Sequence, residues 1–479
     1  MKFAIAIPEN THAEGMSIGR LPAELWLKIF TTGKRLDDTT LFAYTAQQDS
    51  QVDSINAVSQ TCSYFRELAV GSPALWTSIH ITNTYCKAEC ILRRVERSRP
   101  LTLDIAIYLT AKENKDLARG VEAAVDILMA EIDRWRSLRI RSSVEEVARP
   151  VVMRLRDRRA LNLEFLSISI SGRARGHSSV LSPDIFNHGA PALISAKLSG
   201  VAHMLFRPPL SSLTTLRLEG RSGRRGMEFG DFVQVLTEPK RLCHLLIRHD
   251  IVRADAWALQ SPGSLRLTEL RSLHIYSESG AMYVGFLLAM DAPNLSALTL
   301  EGVFDHDLDL LYQTIAPPHN FINLLRLTLI TGSDLSTTTY VKACRLFPNV
   351  TEYSAQRATP SSSQLLKVLI GGALQRDGQP FVLWPKLQML CLRLDISAES
   401  MELVHQAVAT RVSVGYPLSQ VCFFPSQNCG WMSVDEWSIH LRTPVQLVSY
   451  AEVLPGDSVY MDVNDIDHPR VSLHLSMYK

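Results

Sequence analysis

A short apolar phrase recurs along most of the chain and constrains its fold more than any other feature. The phrase is apolar-x-x-apolar-x-apolar, and a proline stands two residues ahead of several copies. Its mean spacing is about 28 residues, within the range of solenoid repeats. The middle residues of the eleven copies are Leu138, Leu166, Ala196, Leu216, Leu245, Leu273, Leu298, Leu327, Tyr353, Leu390 and Val421.

Each copy predicts a short strand, and the segments between copies predict helices. The last two apolar residues of a copy are two apart, so they point to the same face of a strand. Between copies, apolar residues recur at three and four residues, as on one face of a helix. One strand and one helix cannot bury both apolar faces alone, so neighbouring units must stack. The sequence therefore predicts an α/β fold with an irregular solenoid over residues 131–455.

This pattern resembles the leucine-rich repeat family over about residues 130–425. The resemblance implies parallel strands on a concave side and helices outside. Gaps between copies vary from 20 to 37 residues, which implies an irregular arc. Thr299 alternates with the apolar residues of its strand and is predicted to face the concave surface. Residues at the same phase form a predicted target-binding row: Arg217, Leu246, His274, Thr299, Thr328 and Cys391.

Upstream of the repeats, residues 17–80 have the pattern of a small helical module. The segment SIGRLPAELWLKIF, residues 17–30, predicts a short helix, because Pro22 suits the first turn and Glu24 the positive end of the helix dipole. A second helical stretch is predicted over residues 54–70, followed by Gly71, Ser72 and Pro73 and then by Ala-Leu-Trp. Residues 31–53 between the two stretches are polar.

These residues resemble an F-box, the motif that attaches substrate receptors to Skp–cullin–F-box ubiquitin ligases. The Leu-Pro start, the Cys-x-x-Phe element and the Pro-x-Leu-Trp ending carry the resemblance. The following RRVERSRPLTLDI, residues 93–105, is similar to the helix and strand that often follow the motif in fungal F-box proteins. The interval 31–53 is longer than a compact F-box linker, which implies an insertion. The resemblance implies adaptor contacts at Leu21, Pro22, Leu25, Ile29, Val58 and Cys62.

The module's apolar residues have two interpretations, one with a partner and one without. Three short helices have too few interior positions to bury every apolar side chain, so the remainder forms an exposed patch typical of an interaction site. The alternative is that these residues close a local subdomain packed against the first repeat. Phe65, Leu68 and Trp76 are expected to pack in that way under either interpretation.

No motif for catalysis, a cofactor or a metal is recognised in the sequence. Phosphate loops, the G-x-S-x-G elbow and H-E-x-x-H do not occur. Cys86 and Cys90 with His80, and His306 among three aspartates, are interpreted as structural. Basic loops at residues 171–177 and 220–226 are interpreted as connectors that could favour an acidic or phosphorylated partner. We expect no enzyme activity, no cofactor and no metal.

The composition argues against some classes of partner and favours a cellular compartment. With 49 Lys and Arg against 48 Asp and Glu, no overall field favours nucleic acid or an anionic membrane. Eight irregularly spaced cysteines indicate reduced thiols rather than a disulfide framework, which favours the cytoplasm or the nucleus. Residues 1–7 are too short and too quickly interrupted by Pro8 to form a signal peptide.

The sequence thus predicts a non-catalytic substrate receptor of a cullin-RING ubiquitin ligase, with an adaptor and an unidentified target protein as partners. The runner-up is a leucine-rich repeat scaffold unconnected to ubiquitin, and an enzyme that uses repeats for recognition ranks below both. The predicted organisation is a flexible N-terminus at 1–16, the module at 17–80, a linker with the first strand and a helical cap at 81–130, the arc at 131–455 and a tail at 456–479.

Overall fold

The structure is a computed structural model, and the part described below is discontinuous. It comprises residues 21–43, 54–82, 87–110, 115–171, 184–220, 227–252, 257, 263–277, 281–314, 321–331, 335–357, 363–371, 382–392, 398–423 and 445–447. The segments expected to form an N-terminal extension (1–16) and a tail (456–479) lie outside these residues, as do Cys86 and most of both basic loops.

A parallel sheet of fourteen strands dominates the described residues. Its strands follow one another in chain order, and two further strands, β8 and β10, pair separately. The strands are β1 Ser78–Thr82, β2 Leu103–Leu109, β3 Trp135–Ser142, β4 Phe165–Ile170, β5 Ser195–Gly200, β6 Thr215–Glu219, β7 His244–Arg248, β8 Leu265–Arg266, β9 Ser272–Tyr276, β10 Met290–Asp291, β11 Ala297–Val303, β12 Arg326–Thr331, β13 Glu352–Arg357, β14 Met389–Leu392, β15 Gln420–Phe423 and β16 Val445–Leu447.

Helices connect most successive strands, as parallel pairing requires. None of the described helices combines the length and apolarity needed to cross a membrane. The α-helices are α1 Ala23–Ala43, α2 Ser54–Thr61, α3 Ser63–Val70, α4 Ala88–Arg97, α5 Lys115–Met129, α6 Glu145–Met153, α7 Ala202–Leu205, α8 Phe229–Thr237, α9 Ala281–Ala289, α10 Asp305–Thr314, α11 Thr337–Leu346, α12 Ser363–Ile370 and α13 Ala398–Ser413.

The predicted repeat register is confirmed. The middle residues of all eleven copies lie in one continuous row across β3 to β15, each paired with the next. This row and the row two residues later are buried and share one core with apolar residues of the connecting helices, for example Val95, Phe232 and Leu311. Strand and helix therefore bury each other's apolar faces, and each unit is closed by its neighbours.

The sheet begins earlier than the sequence indicated. We assigned residues 81–130 to a linker with a first strand and a helical cap, yet β1 and β2 both belong to the same parallel sheet as β3. Trp76, Ile79 and Ile81 in fact match the apolar phrase and are buried. The solenoid consequently starts directly after the N-terminal module, without an intervening linker.

The N-terminal module differs from the prediction in two places. Helix α1 continues to Ala43, so much of the interval that we interpreted as an inserted polar linker is helical. The predicted single helix over residues 54–70 is two helices, because Cys62 adopts an extended backbone and caps α3, its Sγ accepting a hydrogen bond from Phe65 N at 3.4 Å. A side chain that caps a following helix cannot lie inside a continuous one.

Candidate functional site

An aromatic cluster holds the helices of the N-terminal module together. The Trp26 and Phe65 ring centroids lie 4.7 Å apart, and Phe30 meets Phe65 edge-on at 5.2 Å. Trp26 and Phe30 are four residues apart, so they share the face of α1 that points inward. Phe30, Phe65 and Ile55 are all buried in this core. Trp26 and Phe30 on the inner face of α1 are therefore used by the module itself.

The opposite face at the start of α1 is apolar and exposed to solvent. Leu21, Leu25 and Ile29 are 41%, 47% and 51% exposed, and Pro22 beside them is also exposed. The Pro22 carbonyl accepts the first helical hydrogen bonds, from Leu25 N and Trp26 N, so the chain enters the helix where the predicted pattern places it. We call Leu21, Pro22, Leu25 and Ile29 the α1 patch. Large apolar side chains aligned on one exposed face mark an interaction site.

The other two predicted adaptor contacts have a different environment. Val58 on α2 and Cys62 are only partly exposed, and both pack against the module core. Cys62 is further engaged as the cap of α3. The structure thus separates the six predicted residues into four on the open α1 patch and two that support the fold of the module.

Trp76 ties the module to the first strand of the sheet. Its Nε1 donates to Ala69 O at 2.7 Å, which anchors the ring against the end of α3. The guanidinium of Arg97 lies 4.5 Å from the ring centroid, and buried Arg94 donates to Ser78 O on β1 at 2.9 Å. The alternative that Trp76 packs locally is correct for this residue. The α1 patch is nevertheless not part of that contact.

The second candidate surface is the face of the sheet opposite the core, which we call the polar face. Because side chains alternate along a strand, residues between the apolar rows point to this face. All six residues of the predicted target-binding row lie in register on it. The full row is His80, Ala106, Arg139, Ser167, Lys197, Arg217, Leu246, His274, Thr299, Thr328, Ser354, Cys391 and Cys422.

The predicted row is more buried than an open binding row would be. Thr299, Thr328 and Cys391 are only 4–5% exposed, Arg217 and Leu246 are also buried, and His274 is partly buried. Neighbouring strands lie about 4.8 Å apart, so each short side chain is flanked closely on both sides. The register of the row was predicted from the sequence, but its low exposure was not.

A second row on the polar face was missed in the sequence. It lies two residues after the first and contains Arg141, Ser169, Ser199, Glu219, Arg248, Tyr276 and Glu301 in register. The same alternation that selected Thr299 would have selected Glu301, two residues along the strand. Together the two rows bring cations and carboxylates from several strands to one face.

Carboxylates on the polar face join residues of different strands. Lys197 Nζ lies 3.2 Å from Glu219 Oε1, and Ser199 Oγ donates to Glu219 at 2.6 Å. Glu301 Oε2 lies 3.2 Å from an Arg248 guanidinium nitrogen and 2.9 Å from His274 Nε2. These contacts link β5 with β6 and β7 with β9 and β11.

Glu301 remains a carboxylate at all ordinary pH values. Burial raises the pKa of this group, but Arg248 and His274 together have the larger opposite effect and lower it to about 2. A buried carboxylate that faces a guanidinium and accepts side-chain hydrogen bonds is favoured in its charged form. The site is therefore a fixed electrostatic cross-link of the sheet rather than a proton donor.

The metal candidates from the sequence have structural partners. Asp307 Oδ2 accepts from Phe304 N at 2.9 Å at the start of α10, and Asp305 Oδ1 accepts from Ser336 N at 2.8 Å. His306 is exposed beside Asp307. Within the described ranges, no group of three or more His, Cys, Asp or Glu could hold a metal ion.

Comparisons with known proteins add little. No protein-family model matches the chain, and no curated protein matches it in sequence. A chain in the crystal structure of a Rad7 and Elc1 complex from yeast aligns with 90% of this chain and 95% of its own length, at 11% identity and a TM-score of 0.34. A similarity at that level supports no conclusion about function.

Proposed function

We propose that this chain is a non-catalytic substrate receptor of a Skp–cullin–F-box type ubiquitin ligase. The α1 patch would bind the adaptor subunit, and the polar face would bind the target protein. Other subunits would transfer ubiquitin, and this chain would contribute proximity by holding target lysines near the charged enzyme. Such a role places the protein in the cytoplasm, the nucleus or both.

The exposure of the α1 patch is the observation that carries the proposal. Trp26 and Phe30 bury the inner face of α1, while Leu25 and Ile29 in the same turns stay about half exposed. The free chain gains nothing from the exposed parts of these apolar side chains, whereas a partner that covers them removes that remaining apolar surface from water. The sequence around the patch resembles the motif whose function is to bind an adaptor in this way.

The test is co-precipitation of a purified Skp-type adaptor with the full chain. We expect wild type to bind, and Leu25→Asp with Ile29→Asp to weaken binding by at least about 100-fold, because two charges enter an apolar interface. The matched control changes exposed Leu92 and Ile322 to Asp, outside the module. It should bind as wild type does.

Circular dichroism and the melting temperature check that the variants remain folded. Both double variants should retain the helical signal of wild type, because all four positions are exposed. Undiminished adaptor binding by the Leu25/Ile29 variant would refute the assigned contact. A folded wild-type chain that does not bind any Skp-type adaptor would favour the repeat scaffold unconnected to ubiquitin.

A further inference from the structure

Two cysteines lie side by side on the polar face, near the last strands of the sheet. Cys391 on β14 is paired in register with Cys422 on β15, so both side chains point to the same side of neighbouring strands. Neighbouring strands lie about 4.8 Å apart, and disulfides join residues whose Cα atoms are about 4.4–6.8 Å apart. The backbone therefore already holds the two residues at a separation that suits a disulfide.

The other cysteines of the described residues do not have this arrangement. Cys391 and Cys422 are the only two of these six that lie within strands. Cys344 Sγ accepts a hydrogen bond from Trp384 N at 3.0 Å, and Cys62 Sγ caps α3. The thiols of Cys391 and Cys422 instead form a hydrogen bond with each other. The pair is thus distinct in both position and contact.

The hydrogen bond between the two thiols gives them different roles. The Cys391 thiol donates to the Cys422 sulfur, and this lowers the pKa of Cys422 against the opposite effects of burial and of Glu352. The same hydrogen bond, together with burial, raises the pKa of Cys391. The thiolate is the nucleophile in thiol chemistry, so Cys422 is the attacking residue and Cys391 the resolving residue.

The place of the pair in the sheet selects a small oxidant. Cys391 and Cys422 are 4% and 0% exposed, so a protein oxidant does not reach their sulfurs in the closed sheet. The connecting helices pack on the other face, and within the described residues only β16, with three residues, follows β15. Units at the end of a solenoid have fewer neighbours and open locally at low cost. Hydrogen peroxide is small enough to enter through such an opening.

We propose that Cys391 and Cys422 form a reversible disulfide when the chain meets hydrogen peroxide. The Cys422 thiolate attacks one peroxide oxygen and the O–O bond breaks. The departing hydroxide takes up the proton that Cys422 had lost, which gives water and a sulfenic acid on Cys422. The Cys391 sulfur then attacks the Cys422 sulfur, the S–S bond forms, and the S–O bond breaks as hydroxide leaves with the Cys391 proton as a second water. The two sulfurs lose two electrons, which the peroxide gains.

The disulfide would fasten the last part of the described sheet. It joins β14 to β15 covalently and closes a loop that contains α13. Such a cross-link removes open conformations of the loop, so this unit opens less often. Disulfides in reducing compartments are transient and redox-sensing, and thiol exchange restores the two thiols. This site does not involve the α1 patch, so it goes beyond the proposed function.

The experiment treats the full chain with hydrogen peroxide and maps disulfides by mass spectrometry without reduction. We expect a linked Cys391–Cys422 peptide in the folded wild type and its loss when dithiothreitol is added. Its yield should fall at least about 10-fold when peroxide is added in urea, because the unfolded chain no longer pairs the strands. Cys391→Ser should trap the Cys422 sulfenic acid, which dimedone labels at least about 10-fold more than in wild type. The control Cys90→Ser, on α4, should form the disulfide as wild type does.

Amide exchange gives a readout in the wild-type chain alone. After oxidation, exchange in β14 and β15 should slow at least about 10-fold, while exchange in β1 to β3 stays unchanged. Reduced Cys391 and Cys422 in a folded chain whose Cys90 is already oxidised would overturn the proposal, and so would a disulfide between two chains on a non-reducing gel. A linked pair without slower exchange would overturn the proposed fastening of β14 to β15.

Discussion

At the scale of single residues, Glu301 has the clearest electrostatic role. Its partners Arg248 and His274 lie 53 and 27 residues away in sequence but on the two preceding strands of the main sheet. The three side chains fasten β7, β9 and β11 to one another on the polar face. Because Arg248 and His274 lower the pKa of Glu301, they also stabilise the folded chain whenever Glu301 is charged.

We predict that Glu301→Gln loses this stability in a pH-dependent way. Lowering the pKa from 4.5 to about 2 corresponds to about 3 kcal/mol, present above pH 4.5 and lost as the pH falls towards 2. Urea unfolding should show the full difference between wild type and variant at pH 7 and a smaller one at pH 3. Glu269→Gln, at an exposed position, should stay within about 0.5 kcal/mol of wild type at pH 7. A difference for Glu301→Gln that is constant with pH would contradict the assignment.

At the scale of elements, helix α13 holds the turn that precedes strand β14. Arg411 on α13 is 2% exposed and donates to Leu383 O at 2.9 Å and to Trp384 O at 3.2 Å. Trp384 has a φ of +41°, a conformation that a bulky residue rarely adopts. Its indole also donates to Phe347 O at 3.1 Å. The guanidinium of Arg411 therefore stabilises a strained turn that leads into β14.

Arg411→Ala should cost at least about 2 kcal/mol in the free energy of unfolding, because buried carbonyls lose their donors. Arg411→Lys should recover only part of the loss, since an ammonium cannot reproduce the planar fork of donors. The neighbouring Val412→Ala, at a 57% exposed position of the same helix, should cost less than about 0.5 kcal/mol. Chemical denaturation of the three variants checks the order. Equal costs for Arg411→Ala and Val412→Ala would show that the turn is held by other contacts.

At the scale of the whole molecule, the sheet is a linear series of neighbours. β11 pairs with β9 on one side and β12 on the other, and the module core at the N-terminal end is a separate cluster. In such an arrangement, stability is a sum of units and of the contacts between adjacent units. Damage in the middle of the sheet should consequently spread to both neighbours before it reaches the ends.

Leu298→Ala tests this expectation, because Leu298 is 1% exposed in the central apolar row. We expect a loss of about 2–5 kcal/mol and faster amide exchange in β9, β11 and β12, with the helices of the N-terminal module unaffected. Leu325→Ala, at a 46% exposed position just before β12, makes the same change without a cavity. It should leave exchange in all strands unchanged. Uniformly faster exchange throughout the chain after Leu298→Ala would instead indicate a single cooperative unit.

The sequence by itself determined the register of the sheet and the open side of α1. The apolar residues of each copy alternate with the period of a strand, so only one register places them all on the core face when units stack. All eleven copies therefore fall in one row. Leu21, Leu25 and Ile29 could likewise be assigned to one helix face from their spacing alone.

Only the tertiary structure decided which residues meet across strands and how deeply they are buried. Glu301 contacts Arg248 because parallel pairing brings residues 53 positions apart onto strands separated only by β9, and no local pattern encodes that choice. The break at Cys62 and the extension of α1 to Ala43 depend on caps and packing that compete with local propensity. Thr299 was placed correctly by alternation, but its burial depends on the side chains of the adjacent strands, which spacing along one strand does not specify.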